Sequence, residues 1–366
     1  MNKLLFSALI FALVFNFSIL SAQKLRPGFE KEEYIELLSQ FACQADTPWV
    51  KLPVNKPMNS RLIFRSKVVG LSNRCDLWLS KDSIITVNFR GTVGTMASWL
   101  SNLYTAMSPA NGSIIIDSTT IFPYQLSNDS LAAVHSGWLI SLAFLSQEIK
   151  PKLDSLKRCG FRNLIISGHS QGGAIAFLFT SWLYYSELSL PTSERWLTKT
   201  YCSAAPKPGN LYYAYDFEFI TRKGFGFNVI NTADWVPQTP FSCQTLDDYN
   251  YPNPFIYADI FFEKASFFQR IFLKKAFRDI TFPPKKTRDK QQRYLGHEVF
   301  KFIKKIYPQM IEPRYANTSD FTRAGDAIIL KADKEYYKAF QVAPKDIWTH
   351  HLIKPYLWLT LKHYAL

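Results

Sequence analysis

The chain has 366 residues, 47% of them hydrophobic and 16% aromatic, which is enough apolar material to fill a sizeable core. Its formal charge of +14 is uneven: thirteen Lys or Arg against four acids between Glu263 and Lys305 put +9 in one stretch. No nucleic-acid-binding motif accompanies that stretch, so nucleic acid is not expected as a partner.

Lys3 is followed by an almost unbroken apolar run from Leu4 to Leu20 and then by the small residues Ser21 and Ala22. This is the layout of a cleavable secretory signal peptide ending at Ala22. The run is shorter than the ~20 apolar residues of a spanning helix, and Asn16 and Ser18 interrupt it, which disfavours a membrane anchor. A secreted or periplasmic protein of residues 23–366 is expected, folded as one catalytic domain. The five cysteines (Cys43, Cys75, Cys159, Cys202, Cys243) form no CxxC pair and no metal-ligand spacing. In an oxidising compartment they predict one or two disulfides and a leftover buried thiol.

Along the chain, Glu30 to Gln44 predicts an amphipathic helix, with Tyr34, Leu37, Leu38 and Phe41 at helical spacing. Ser83 to Phe89 predicts a strand that stops at Arg90-Gly91-Thr92. Met96, Trp99, Leu100, Leu103 and Met107 follow helical spacing and predict one apolar face, which on its own reads as a packed surface helix. A helical pattern runs from His135 toward Lys152, and Asn163 to Ser167 (NLIIS) suits a buried parallel strand. Ala174 to Leu188 is a long apolar helical stretch; Thr200 to Ala204 and Phe227 to Asn231 are further short strands. From about 249 to 313 the texture turns to Phe and Lys, which predicts a helical insertion. Its rings (Phe261, Phe262, Phe267, Phe268, Phe272, Phe277) interleave with Lys and Arg and suit either a cap with buried aromatics or contact with an anionic lipid surface. A strand, Ala327 to Leu330, and a helix, Lys334 to Phe340, follow. Alternating strands and helices predict an α/β fold with a mostly parallel central sheet.

The chemistry centres on Gly168-His169-Ser170-Gln171-Gly172. An apolar strand runs into the serine and a helix-compatible stretch leaves it, the context a nucleophile elbow needs to hold Oγ above the sheet. Gln171 would offer a backbone N–H to an oxyanion where the helix dipole also favours negative charge. Thr92, just past the Ser83–Phe89 strand, is the candidate second donor. Asp234 follows the strand Phe227–Asn231 on a loop closed by Pro237, where its carboxylate could orient an imidazole above the strand ends. The chain order Ser, Asp, His leaves His297, His350, His351 and His363 as candidate bases. His135 reads as a packing or hydrogen-bonding residue near the sheet.

Five segments in order, NFRGT (88–92), VHSGW (134–138), GHSQGG (168–173), SAAPKPGN (203–210) and NTADWVPQTP (231–240), resemble the class 3 lipase family. The resemblance implies an α/β-hydrolase fold and hydrolysis of carboxylic esters without metal or organic cofactor. It implies Ser170 as nucleophile, Asp234 as triad acid, and Thr92 with Gln171 as oxyanion donors, and it places a possible lid at Met96, Trp99, Leu100, Leu103 and Met107, the alternative to a packed surface helix. In plant and bacterial relatives the catalytic histidine precedes a Tyr-Leu pair by about five residues. His351 stands five before Tyr356-Leu357, with His350 as second choice. Acylglycerols are the expected substrate; phospholipase A1 activity, polysaccharide-side-chain esterase activity, and an inactive envelope binding protein are the alternatives.

Overall fold

The computed structural model describes residues 24–44 and 54–364, so the signal segment 1–22 lies outside the described residues. Helix α1 (Lys31–Ala42) turns Tyr34, Leu37, Leu38 and Phe41 inward, the face its spacing predicts. Strands β1 (Ser60–Arg65) and β2 (Cys75–Ser80) lead into β3 (Ile85–Phe89), the predicted strand ending before Arg90. The short helix α2 (Met96–Leu103) follows, and then four brief strands: β4 (Met107–Pro109), β5 (Asn111–Ile115), β6 (Ile121–Gln125) and β7 (Ala133–His135). Helix α3 (Ser136–Arg158), β8 (Asn163–His169), α4 (Gln171–Ser186), β9 (Leu197–Ser203), β10 (Gly209–Asn210), α5 (Leu211–Ile220) and β11 (Gly226–Asn231) complete the first two thirds.

The central sheet has seven strands in the order β1-β2-β3-β8-β9-β11, closed at its far edge by β13 (Asp326–Leu330). From β3 to β13 neighbours run parallel; β1 and β2 pair antiparallel at the other edge. The parallel strands read as continuous apolar runs because both faces are covered, and β3 and β11 are buried throughout. Helix α4 is apolar all round and correspondingly sandwiched: Ala174 to Leu183 are all buried. Burying side chains such as Phe177 and Phe179 contributes about 2 kcal/mol each relative to exposure. The sheet is thus an α/β core whose strand ends line up. Phe89 pairs with Gly168, Gly168 with Cys202, and His169 with Ser203.

Residues beyond β11 return to helix, as the Phe- and Lys-rich texture predicts. Helices α6 (Ala258–Glu263) and α7 (Phe267–Gln292) lead through a π-helical turn, Arg293–Glu298, into α8 (Val299–Ile306). The two-residue strand β12 (Phe321–Thr322) precedes β13, and α9 (Lys334–Ala339) and α10 (Ile353–His363) end the fold.

Four expectations need correction. All five cysteines are free thiols, with Cys75 and Cys202 buried on β2 and β9, which are not neighbours in the sheet. Met107 does not continue the α2 face; the helix stops at Leu103 and Met107 lies buried on β4, paired with His135. Leu100, on that same face, points into the core. Within the insertion the rings of α6 and α7 are not the buried aromatics of a cap, Arg288 being the one buried residue of α7, whereas Phe300 of α8 does join the core. The small antiparallel sheet β12-β10-β7-β4 and the β5–β6 hairpin are not among the elements predicted above.

Candidate active site

The strands β3, β8, β9 and β11 end along one edge of the sheet, and each delivers part of the site there. Ser170 sits between β8 and α4 with φ 62° and ψ −130°, a conformation sparsely populated for a residue with a side chain. Flanking glycines make the turn feasible. A Cβ at Gly168 would lie 2.2 Å from the carbonyl of Gly172, and one at Gly172 would lie 2.0 Å from the carbonyl oxygen of Phe89. The Ser170 N–H is held by the Ser203 carbonyl at 2.9 Å, tying the turn to the end of β9.

Asp234 lies on the loop after β11 and is buried. Its Oδ1 accepts from the Val236 N–H at 3.0 Å, while Oδ2 accepts from His351 Nδ1 at 2.7 Å and from the Tyr356 hydroxyl at 2.8 Å. A carboxylate only accepts, so His351 Nδ1 carries the proton and Nε2 is the acceptor. Nε2 meets Ser170 Oγ at 2.8 Å. Thus Ser170, His351 and Asp234, which lie 181 and 117 residues apart in chain pairs, converge in one hydrogen-bonded line. His350 is turned away: its Nδ1 meets the Tyr336 hydroxyl at 2.8 Å, and its carbonyl accepts from Asn231 Nδ2. His297 pairs with Glu312 at 2.8 Å on the π-helical turn, and His363 Nε2 donates to the Lys331 carbonyl. Neither takes part in this line.

A second line, not read from the sequence, runs behind the first. His169 Nε2 faces the carbonyl of His351 at 2.8 Å and must donate to it. Its Nδ1 therefore accepts from Ser203 Oγ at 3.0 Å, whose oxygen accepts in turn from the Tyr34 hydroxyl at 2.6 Å. Burial, with His351 beside it, pushes the His169 imidazole down to about 3, so this line stays neutral and unidirectional. Tyr34 is legible only as part of an apolar helix face and Ser203 only as the first residue of the SAAPKPGN segment; nothing in their spacing links them to His169.

The Arg90–Asn102 segment borders the other side. The Thr92 hydroxyl donates to Gln171 Oε1 at 3.0 Å and accepts from Asn102 Nδ2 at 2.8 Å. That hydroxyl hydrogen is committed, which leaves the backbone N–H of Thr92 as the group able to meet a developing oxyanion beside that of Gln171. Among the described residues neither N–H is taken by another group. Gln171 Nε2 also donates to Ser101 Oγ at 3.1 Å, clamping α2 against the serine turn. Asn102 is held in turn by Trp138, whose indole N–H donates to Asn102 Oδ1 at 3.1 Å. His135 caps α3 and stacks on Trp138 at 3.6 Å, with burial pushing its imidazole down to about 3. The VHSGW segment therefore braces the Thr92 segment from behind.

A cavity of about 1000 Å³ opens over Ser170 and His351. Its walls include Trp99 and Leu103 of α2, Trp235, Phe241, Phe340 and Trp348. Trp348 stands between Trp99 and Trp235, with ring centroids 6.2 and 5.2 Å away, and lies 5.8 Å from the His351 ring. Of the residues expected on a lid, Trp99 and Leu103 face this cavity, Met96 is exposed, and Leu100 and Met107 are core.

Residues 86–243 match the family model described as lipase (class 3). A lipase of Rhizomucor miehei is 26% identical over 161 residues, which are 43% of this chain and 38% of that protein, so the match spans well under half of the relative's length. Among solved structures, the Lip2 lipase of Yarrowia lipolytica is 21% identical with a TM-score of 0.43, covering 58% of this chain and 73% of that one. The lipase of Rhizopus microsporus var. chinensis is 21% identical with a TM-score of 0.41, covering 58% and 68%. The matched segment contains Thr92, Ser170, Gln171 and Asp234, whereas His351 lies 108 residues beyond its end. Over residues 86–243 the chain is similar to the class 3 lipase family.

Proposed function

We propose that this protein is an exported serine ester hydrolase that cleaves acylglycerols through an acyl-enzyme on Ser170. The observation that carries the reading is the unbroken line from Ser170 Oγ through His351 to Asp234, opening into a largely apolar cavity. His351 Nε2 takes the Ser170 proton as Oγ attacks the ester carbonyl, and Asp234 stabilises the imidazolium that forms. The carbonyl oxygen, now negative, is met by the N–H groups of Thr92 and Gln171. The imidazolium gives its proton to the departing alcohol, and water repeats the sequence on the acyl-enzyme. The apolar run Leu4–Leu20 supports export.

Trp99, Trp235, Trp348 and Phe241 offer acyl chains an apolar surface, which supports the lipid-ester reading. A serine-reactive phosphonate should add once, on Ser170, and Ser170→Ala should abolish hydrolysis of both soluble and emulsified esters. Undiminished hydrolysis in that variant would defeat the proposal. Rates on an acylglycerol that do not rise above its solubility limit would remove the lipase reading and leave an esterase.

A further inference from the structure

The arm formed by α6 and α7 concentrates exposed aromatics in a way the rest of the described chain does not. Phe261, Phe267, Phe268, Ile271, Phe272 and Phe282 are all exposed, Phe268 to 83%. Within the arm, Phe262 and Phe277 meet edge to face at 5.7 Å and join α6 to α7, so the outward rings are not a by-product of an unpacked segment. On α7, Phe268, Ile271, Phe272, Lys275, Phe282 and Lys286 recur at helical spacing and form one stripe, which also carries Asp279, ion-paired with Arg278 at 3.7 Å. Residues 258–292 carry nine Lys or Arg against four acids. Lys275, Lys285 and Lys286 have no acidic partner among the described residues.

The root of the arm meets the site. Arg288 is buried and held by Asp247 at 2.6 Å, and Pro284 accepts a hydrogen bond from Cys243 at 3.3 Å. One turn on, Gln291 lines the cavity and donates to Thr105 Oγ1 at 3.3 Å. Phe241, 90% exposed, stands on the same rim.

We propose that the α6–α7 arm docks the protein on an anionic lipid bilayer, with the phenylalanines in the interfacial layer and the lysines on the headgroups. Aromatic rings interleaved with cations suit that interface. A second copy of this chain would set like charge against like, which disfavours self-association through the stripe. Docking stands on the arm alone; because Gln291 and Phe241 share the cavity rim, the docked arm also turns the cavity mouth to the lipid, a consequence that rests on the ester hydrolase reading.

The test uses the purified full protein, wild type and Ser170→Ala, sedimented with phosphatidylcholine vesicles with and without phosphatidylglycerol. Both proteins should partition at least about tenfold more strongly onto the anionic vesicles, and high salt should weaken the binding. Phe268→Ser/Phe272→Ser and Lys275→Gln/Lys286→Gln should each lose about tenfold in binding while hydrolysing a soluble short-chain ester at the wild-type rate. Equal partition onto both vesicles, unchanged binding in either double variant, or an arm-dependent dimer in sedimentation velocity would overturn the proposal. Ser170→Ala that binds normally beside a wild type inert on every ester would leave docking intact and sink the hydrolase reading. Hydrolysis of soluble esters without vesicle binding would do the reverse.

Discussion

Tyr356 and His351 donate to the same oxygen of Asp234, at 2.8 and 2.7 Å. The Asp234 carboxylate is thus fixed from two sides, by the His351 imidazole and by the first turn of the last helix. Tyr356→Phe removes a hydrogen bond to a buried carboxylate, an interaction of about 1.5–3 kcal/mol, and should lower kcat by about tenfold. KM should stay nearly constant, because Tyr356 does not line the cavity. Steady-state kinetics on a soluble ester measure this; a change confined to KM would contradict it.

The two adjacent histidines should separate cleanly. His351→Ala should reduce kcat by about 10³-fold or more, as removal of a base from a serine triad does. His350→Ala should reduce it less than about tenfold, since its ring is tied to Tyr336 outside the triad line. Equal residual activity in the two variants would reject the assignment of His351.

Position 92 tests whether a side chain that does not itself face the substrate matters. Thr92→Val keeps the backbone N–H but frees Asn102 and Gln171 from the shared hydroxyl. With one neutral hydrogen bond on each side lost, kcat/KM should fall by about tenfold, short of the 10²–10³ expected on losing an oxyanion donor. Asn102→Ala should resemble it, because it breaks the link to Trp138.

Acid should unfold this protein partly through its buried imidazoles. His135 and His169 both lie near 3 in the folded state, below their ordinary value of 6.5. The unfolded chain binds these protons first, so the stabilisation is complete above about pH 6.5 and is lost as pH falls toward 3, at up to about 1.4 kcal/mol per pH unit for each group. Urea melts of His169→Gln should show a shallower decline across that window than wild type. Parallel slopes would mean that His169 does not titrate on unfolding.

Much of this site could be read from the chain because its chemistry is local. A strand, two glycines and a helix define the serine turn within a few residues, and the loop after Phe227–Asn231 announces Asp234 by its position after a strand. His351 needed a family register, since a lone histidine carries no sign of which carboxylate it will meet 117 residues away. Tyr34, Ser203 and Tyr356 were hidden for the same reason: their partners are set by how α1, β9 and α10 pack. Met107 followed helical spacing by coincidence, because the chain leaves α2 at Leu103 and the same apolar residue serves a strand equally well. In α7 the ambiguity was of another kind. Periodicity marks a face as apolar but does not say whether protein covers it.

The positive φ of Ser170 carries a consequence for stability. A non-glycine residue in such a conformation costs on the order of 1–3 kcal/mol. Ser170→Gly should therefore raise Tm while abolishing turnover, and Ser170→Ala, which keeps the β-carbon, should raise it less. A thermostable, inert Ser170→Gly protein would show that the nucleophile is held against the fold's own preference, so that selection for heat resistance alone would tend to erase the reactive centre.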